Sequence, residues 1–167
     1  ANFPMSVWVY AVPLFFWEHP YAPTLFTGLV NGLAVLGCYG LVRRYWGWQA
    51  GLIAALMLAT SPWAIHHARK IWAQNLLLPL TMGWGICVAL GMVEGRRWWQ
   101  AGMIVCVALA VQVHFAGAAL GLATLGIVGL SWRRLDVKGV SVGVLVGLLT
   151  AVPFFIYLVQ NDITLQA

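Results

Sequence analysis

From Trp98 to Trp132 the chain carries no aspartate, glutamate, lysine or arginine, and neither do the stretches from Tyr21 to Val42 and from Gly139 to Val159. Uncharged runs of that length leave few folding solutions. Water offers them no polar surface, whereas a lipid bilayer accepts them as α-helices, because a helix satisfies its own backbone N–H and C=O groups. Only 8% of all residues are charged, against about 25% in a soluble domain. Mean hydropathy is +0.88. A membrane span needs ~20 apolar residues. The 167 residues therefore predict an all-α, polytopic integral membrane protein with about six transmembrane helices and a short juxtamembrane interfacial helix. They are expected to form one transmembrane domain over 1–167.

The boundaries follow from breaks in the apolar pattern. Residues 3–17 are apolar and aromatic but short for a span, with Pro13 inside, and suit a helix lying in the interface. Spans are expected over 21–42, 48–60, 62–93, 98–114, 117–132 and 139–159. Ser61-Pro62 reads as the start of a helix, since serine is a favoured N-cap and proline suits the first helical position. The polar stretch Gln112, His114 and Gly117 divides a run too long for one crossing. Glycine pairs Gly28/Gly32, Gly117/Gly121 and Gly143/Gly147 allow close helix packing. Cys38, Cys87 and Cys106 all lie in apolar runs and read as small core residues. Ala1-Asn2-Phe3-Pro4 shows neither an initiator methionine nor a basic leader, so the chain is expected to be part of a longer one.

Charge placement sets orientation. Seven of the nine lysines and arginines fall in three loops, Arg43-Arg44, Arg96-Arg97 and Arg133-Arg134-Lys138. These loops alternate with the others, so the positive-inside rule predicts that they are cytoplasmic. A basic nucleic-acid surface would need a solvated face, and the sequence offers none.

Arg69 and Lys70 break that pattern, and beside them stand His66, His67 and Gln74. The predicted helix over 62–93 places this cluster in its first turns, where unpaired N–H groups and the helix dipole favour anions. Arginine grips phosphate oxygens with a bidentate fork, and lysine adds a point charge. His114 is predicted on the same side of the membrane. The candidate substrate-binding residues, for a donor phosphate, are thus Arg69, Lys70, His66, His67, Gln74 and His114. The alternative is an outer-surface loop whose cations meet lipid headgroups. No metal site is expected, because neighbouring histidines on a helix diverge and no cysteine or carboxylate has ligand spacing. No serine–histidine–acid arrangement is recognisable either.

The order of these pieces resembles the GT-C superfamily of membrane glycosyltransferases, most of all family 39, the protein mannosyltransferase and aminoarabinose transferase group. Asn2-Phe3-Pro4 with its aromatic helix is similar to that family's juxtamembrane segment. Arg43-Arg44-Tyr45-Trp46-Gly47 and the passage from Ala50-Gly51-Leu52 through Ser61-Pro62 to Ala68-Arg69 match further motifs, so that residues 2–84 carry the likeness. Asn2-Phe3 departs from the usual His-Pro, and Ala68 from the serine common before the arginine. The resemblance implies an inverting transferase that takes a sugar from a polyprenyl-phosphate donor on the non-cytoplasmic face, with Arg69 at the donor phosphate. It also implies a catalytic aspartate in an outer loop ahead of Ala1, so no catalytic residue is expected here. No cofactor is implied beyond the lipid-linked sugar donor. The expected partners are membrane lipid and that donor, in the cell (plasma or inner) membrane. A polytopic transporter or flippase for a lipid-linked or anionic substrate is the alternative, and a purely structural membrane subunit a third reading.

Overall fold

The computed structural model describes residues 5–160, and its helical segments carry the polypeptide back and forth between two ends of a bundle. The main helices are α1 (Met5–Ala11), α2 (Tyr21–Ala59), α3 (Pro62–Ala68), α4 (Leu77–Val88), α5 (Arg97–Val113), α6 (Ala118–Leu130) and α7 (Val137–Gln160). Among the described residues there is no strand. The fold is all-α and compatible with a membrane.

Three helical stretches are long and apolar enough to cross a bilayer, Tyr21–Ala59, Ala73–Val93 and Val137–Ile156. Met5–Phe15, Arg97–Val113 and Phe115–Leu130 are apolar but shorter. The 17 residues of α5 give it a length of about 25 Å, below the ~30 Å of a hydrocarbon core. The expected count of six spans is thus met in length by three stretches.

The 39 residues of α2 are not one rod, because Gly47 stands at φ 86° and ψ 169° inside it. Only glycine adopts that region without strain. The chain folds back there into two arms, 21–46 and 48–59, close to the expected boundaries. Gly51 on the second arm lies so near the first that an added Cβ would sit 2.9 Å from the Tyr39 carbonyl oxygen and 3.0 Å from Arg43 Cβ.

In lipid the hydrophobic effect does little to press helices together, so contact rests on close van der Waals packing and interhelical hydrogen bonds. The glycines of α7 show this. A Cβ on Gly143 would lie 2.7 Å from the Ala101 carbonyl oxygen, and one on Gly147 would lie 2.8 Å from Ala108 Cβ. Helix α5 is consequently the buried centre, with Met103 and Ala110 fully enclosed. Gly28 and Gly32 behave differently. Nothing stands within 4 Å of where their Cβ atoms would be, so that spacing marks no contact within the chain. Cys87 Sγ fills the space beside Gly102, and Cys106 Sγ that beside Gly83. The trio of basic loops meets at one end. Arg44 makes a two-pronged ion pair with Glu94, at 2.5 Å and 2.9 Å. Gln100 donates to the Arg134 carbonyl at 2.9 Å, and Asp136 caps α7 by accepting from Gly139 N at 2.7 Å.

The expected helix over 62–93 is corrected. It is two pieces: α3 ends at Arg69, Trp72 is extended at φ −144° and ψ 144°, and helical structure resumes at Ala73. Side chains satisfy the carbonyls that the break releases. Tyr10 Oη donates to the Trp72 carbonyl at 2.7 Å, and the Asn75 amide donates to that of Lys70. A backbone opened inside a membrane protein persists only where such partners exist. The described part of residues 3–17, where a juxtamembrane helix is expected, forms α1 and the 3-10 turn Val12–Phe15. Asn2, Phe3 and Pro4, like Asn161 and Asp162, lie outside the described residues.

Candidate functional site

The end of the bundle opposite the basic loops is built from α3, the break that follows it and the turn after α5. Trp63, on the first turn of α3, stacks on His67 with ring centroids 4.5 Å apart. One turn further the helix ends, and the break brings Asn75 back so that its Oδ1 lies 2.9 Å from His67 Nδ1. Asn75 is completely buried, and its own carbonyl accepts from Asn31 Nδ2 at 3.1 Å. Asn31 thereby bonds across helices, the role its mid-span position suggests.

His114 enters from α5. It ends that helix at φ −159° and ψ 142°, and its Nδ1 accepts from Ala116 N–H at 3.1 Å. Gly117 is pressed against the Ala110 carbonyl more tightly than any side chain would allow, which lets the turn close and aims His114 back across the bundle. There the Gln74 amide meets it, 3.2 Å from His114 Nε2. His67, Gln74 and His114 together with Trp63 and Phe115 line a cavity of about 580 Å³.

His66, Arg69 and Lys70 face elsewhere. They line a separate cleft of about 590 Å³ with Thr60, Pro62 and Ile65. Lys70 Nζ lies 3.4 Å from His66 Nε2, and since an ammonium can only donate, His66 Nε2 accepts. Both ion pairs among the described residues use Glu94 at the far end, so Arg69 and Lys70 have no carboxylate partner there. The six predicted residues thus share one end of the bundle but fall into two groups, a neutral group and a cationic group, with α3 between them.

One physical expectation is corrected by the break. His66 and His67 stand in the last turn of α3, and Arg69 is its C-cap. At that end the helix offers carbonyl oxygens, so the dipole favours the cations themselves and supplies no positive field for an anion. Anion affinity in this cleft rests on the side chains alone. Among the described residues no three histidine, cysteine, aspartate or glutamate side chains gather to hold a metal ion.

The family model of dolichyl-phosphate-mannose-protein mannosyltransferases matches residues 4–157. The chain belongs to this family. It is a membrane glycosyltransferase of the mannosyltransferase type, and the apolar helices agree with a membrane location. Comparison with curated proteins and with solved structures gave no match.

The sequence did not single out Asn75, which holds the two sides of the break together, because a polar residue within a presumed continuous helix looks like ordinary surface. Trp63 and Phe115, 70% and 77% exposed, line the cavity but are not among the residues that the sequence singled out. Gln112 points away from the site and donates to Thr150 Oγ1 at 2.9 Å. His19 serves its own turn, its Nδ1 accepting from Tyr21 N–H at 3.2 Å.

Proposed function

We propose that this chain carries donor-binding residues of a glycosyltransferase that moves a sugar from a polyprenyl-phosphate carrier to an acceptor hydroxyl on the non-cytoplasmic face of the cell membrane. The observation that carries this reading is the pairing of Arg69 with Lys70 in one cleft, free of carboxylates, at the end of the bundle away from the Arg43, Arg96 and Arg133 loops. In such a transfer the acceptor oxygen forms a bond to the anomeric carbon as the bond to the carrier phosphate breaks. Negative charge then grows on the departing phosphate, and fixed cations lower the barrier by meeting it. Arg69 supplies the planar fork and Lys70 the point charge. Membrane lipid surrounds the exposed apolar faces, and the carrier's isoprenoid chain stays among them. The acceptor's proton needs a base, and none of the residues in these clefts is assigned that role.

The test is transfer by the full-length protein in liposomes from a polyprenyl-phosphate mannose donor. Arg69→Ala is expected to lower it at least tenfold, about 1.4 kcal/mol of transition-state stabilisation. Arg69→Lys should recover part of the loss. Turnover unchanged in Arg69→Ala would end the assignment. Sidedness is checked separately: a membrane-impermeant maleimide should label Lys70→Cys from outside intact cells and Arg96→Cys only after permeabilisation, and the reverse pattern would overturn the orientation.

A further inference from the structure

The cavity beside His67, Gln74 and His114 has no aspartate, glutamate, lysine or arginine in its lining, yet these three side chains have hydrogen-bonding directions that their neighbours fix. Asn75 decides the first. The Lys70 carbonyl can only accept, so the Asn75 group facing it is the NH₂. Its oxygen therefore faces His67 Nδ1 at 2.9 Å, and that nitrogen must carry a hydrogen. In the neutral ring, His67 Nε2 is then left with a lone pair.

The second direction comes from His114. A backbone N–H cannot turn round, and that of Ala116 points at His114 Nδ1. Nδ1 is then an acceptor, and the ring hydrogen sits on Nε2. The Gln74 amide next to Nε2 can turn by half a rotation at little cost, and it must present its oxygen to receive that hydrogen. Its NH₂ group is thereby released from His114. The lining thus includes an acceptor, His67 Nε2, a two-hydrogen donor, the Gln74 NH₂, and the Ser61 hydroxyl, which can do both, together with the rings of Trp63 and Phe115.

We infer that this cavity binds a neutral, hydroxylated ring, with one hydroxyl donating to His67 Nε2 and another accepting from the Gln74 NH₂. A hydroxyl both donates and accepts, so adjacent hydroxyls satisfy both groups, while a phosphodiester, which has no hydrogen to donate, would leave His67 Nε2 facing another acceptor. Aromatic faces suit the C–H side of such a ring. That the ring is the transferred sugar rests on the proposed transferase activity; the hydrogen-bonding pattern does not. Asn75 acts through His67 and is a positioning residue.

The experiment is NMR of the full-length protein in nanodiscs, labelled at histidine and glutamine, titrated with methyl α-mannopyranoside and separately with dimethyl phosphate. Before any addition, His67 should be protonated at Nδ1 and His114 at Nε2. The glycoside should shift His67 Nε2 and the Gln74 side-chain NH₂, and dimethyl phosphate should leave both in place. Gln74→Glu keeps an oxygen for His114 but removes the donor, so it should weaken glycoside binding at least fivefold with the His114 tautomer unchanged. His67 protonated at Nε2, shifts produced by dimethyl phosphate but not by glycoside, or full glycoside binding in Gln74→Glu would each overturn the inference. Glycoside binding as described, with transfer unaffected in Arg69→Ala, would support the cavity's chemistry and remove only the donor-phosphate role of Arg69.

Discussion

His67 Nδ1 and Asn75 Oδ1 meet at 2.9 Å across the break that separates α3 from α4. The break would be unfavourable in a bilayer without such contacts, because each freed backbone group needs a partner. Asn75 supplies three at once: to His67, to the Lys70 carbonyl and, through its own carbonyl, to Asn31.

Replacing Asn75 by leucine should therefore act on stability and on the site together. The Lys70 carbonyl and His67 Nδ1 would lose a buried partner, at about 1–3 kcal/mol for each group left unsatisfied. We expect a clear fall in the thermal unfolding midpoint of the purified protein and loss of the Nδ1–H tautomer of His67. A His66→Ala variant, which leaves Asn75 intact, should unfold near the wild-type temperature. Equal midpoints for Asn75→Leu and wild type would show that the break is held by other means.

What the sequence made legible and what it hid have the same physical origin. The apolar runs, the cation clusters that end them and Gly47 after Arg43-Arg44 are local signals, and the folded-back arms of α2 and the gathering of the basic loops agree with them. Hydropathy is blind to a break whose polar groups are satisfied from a distance. Trp72 depends on Tyr10, and Lys70 on Asn75, so residues 62–93 read as continuous. The same blindness merged the cationic and neutral groups into one cluster, since spacing on a presumed helix put His66, His67 and Gln74 around one axis.

Glycine spacing was an equally incomplete guide, and this gives a direct comparison. Gly143 and Gly28 both sit in small-residue pairs, yet only Gly143 is in contact, its missing Cβ lying 2.8 Å from Ile104 Cβ and 2.7 Å from the Ala101 carbonyl oxygen. Backbone cannot give way as a flexible side chain can, so Gly143→Ala should force α5 and α7 apart and cost about 1–3 kcal/mol. Gly28→Ala adds a methyl to open space and should leave stability within about 0.5 kcal/mol of wild type. Unfolding of both variants in the same detergent decides it; equal effects would mean that α5 and α7 are not packed through Gly143.

The last prediction concerns the opposite end, where Glu94 accepts from Arg44 at 2.5 Å and 2.9 Å and from Tyr45 Oη at 2.9 Å, with Arg96 at 3.2 Å. The hydrogen bonds from Arg44 come first among the causes that hold its carboxyl below the ordinary value of 4.5. A carboxylate depressed in the folded state stabilises the protein at pH values above the unfolded pKa, and that contribution is lost as pH falls through the folded pKa. Wild type should therefore exceed Glu94→Gln in unfolding temperature by a constant margin near neutral pH. The margin should shrink from about pH 4.5 downward and vanish once the carboxyl is protonated in both states. Because the Arg44 side chain is 49% exposed, added salt should narrow the neutral-pH margin as well. A margin that stays the same through the acid range would show that Glu94 holds the α2 turn against the loop after α4 by shape and not by charge.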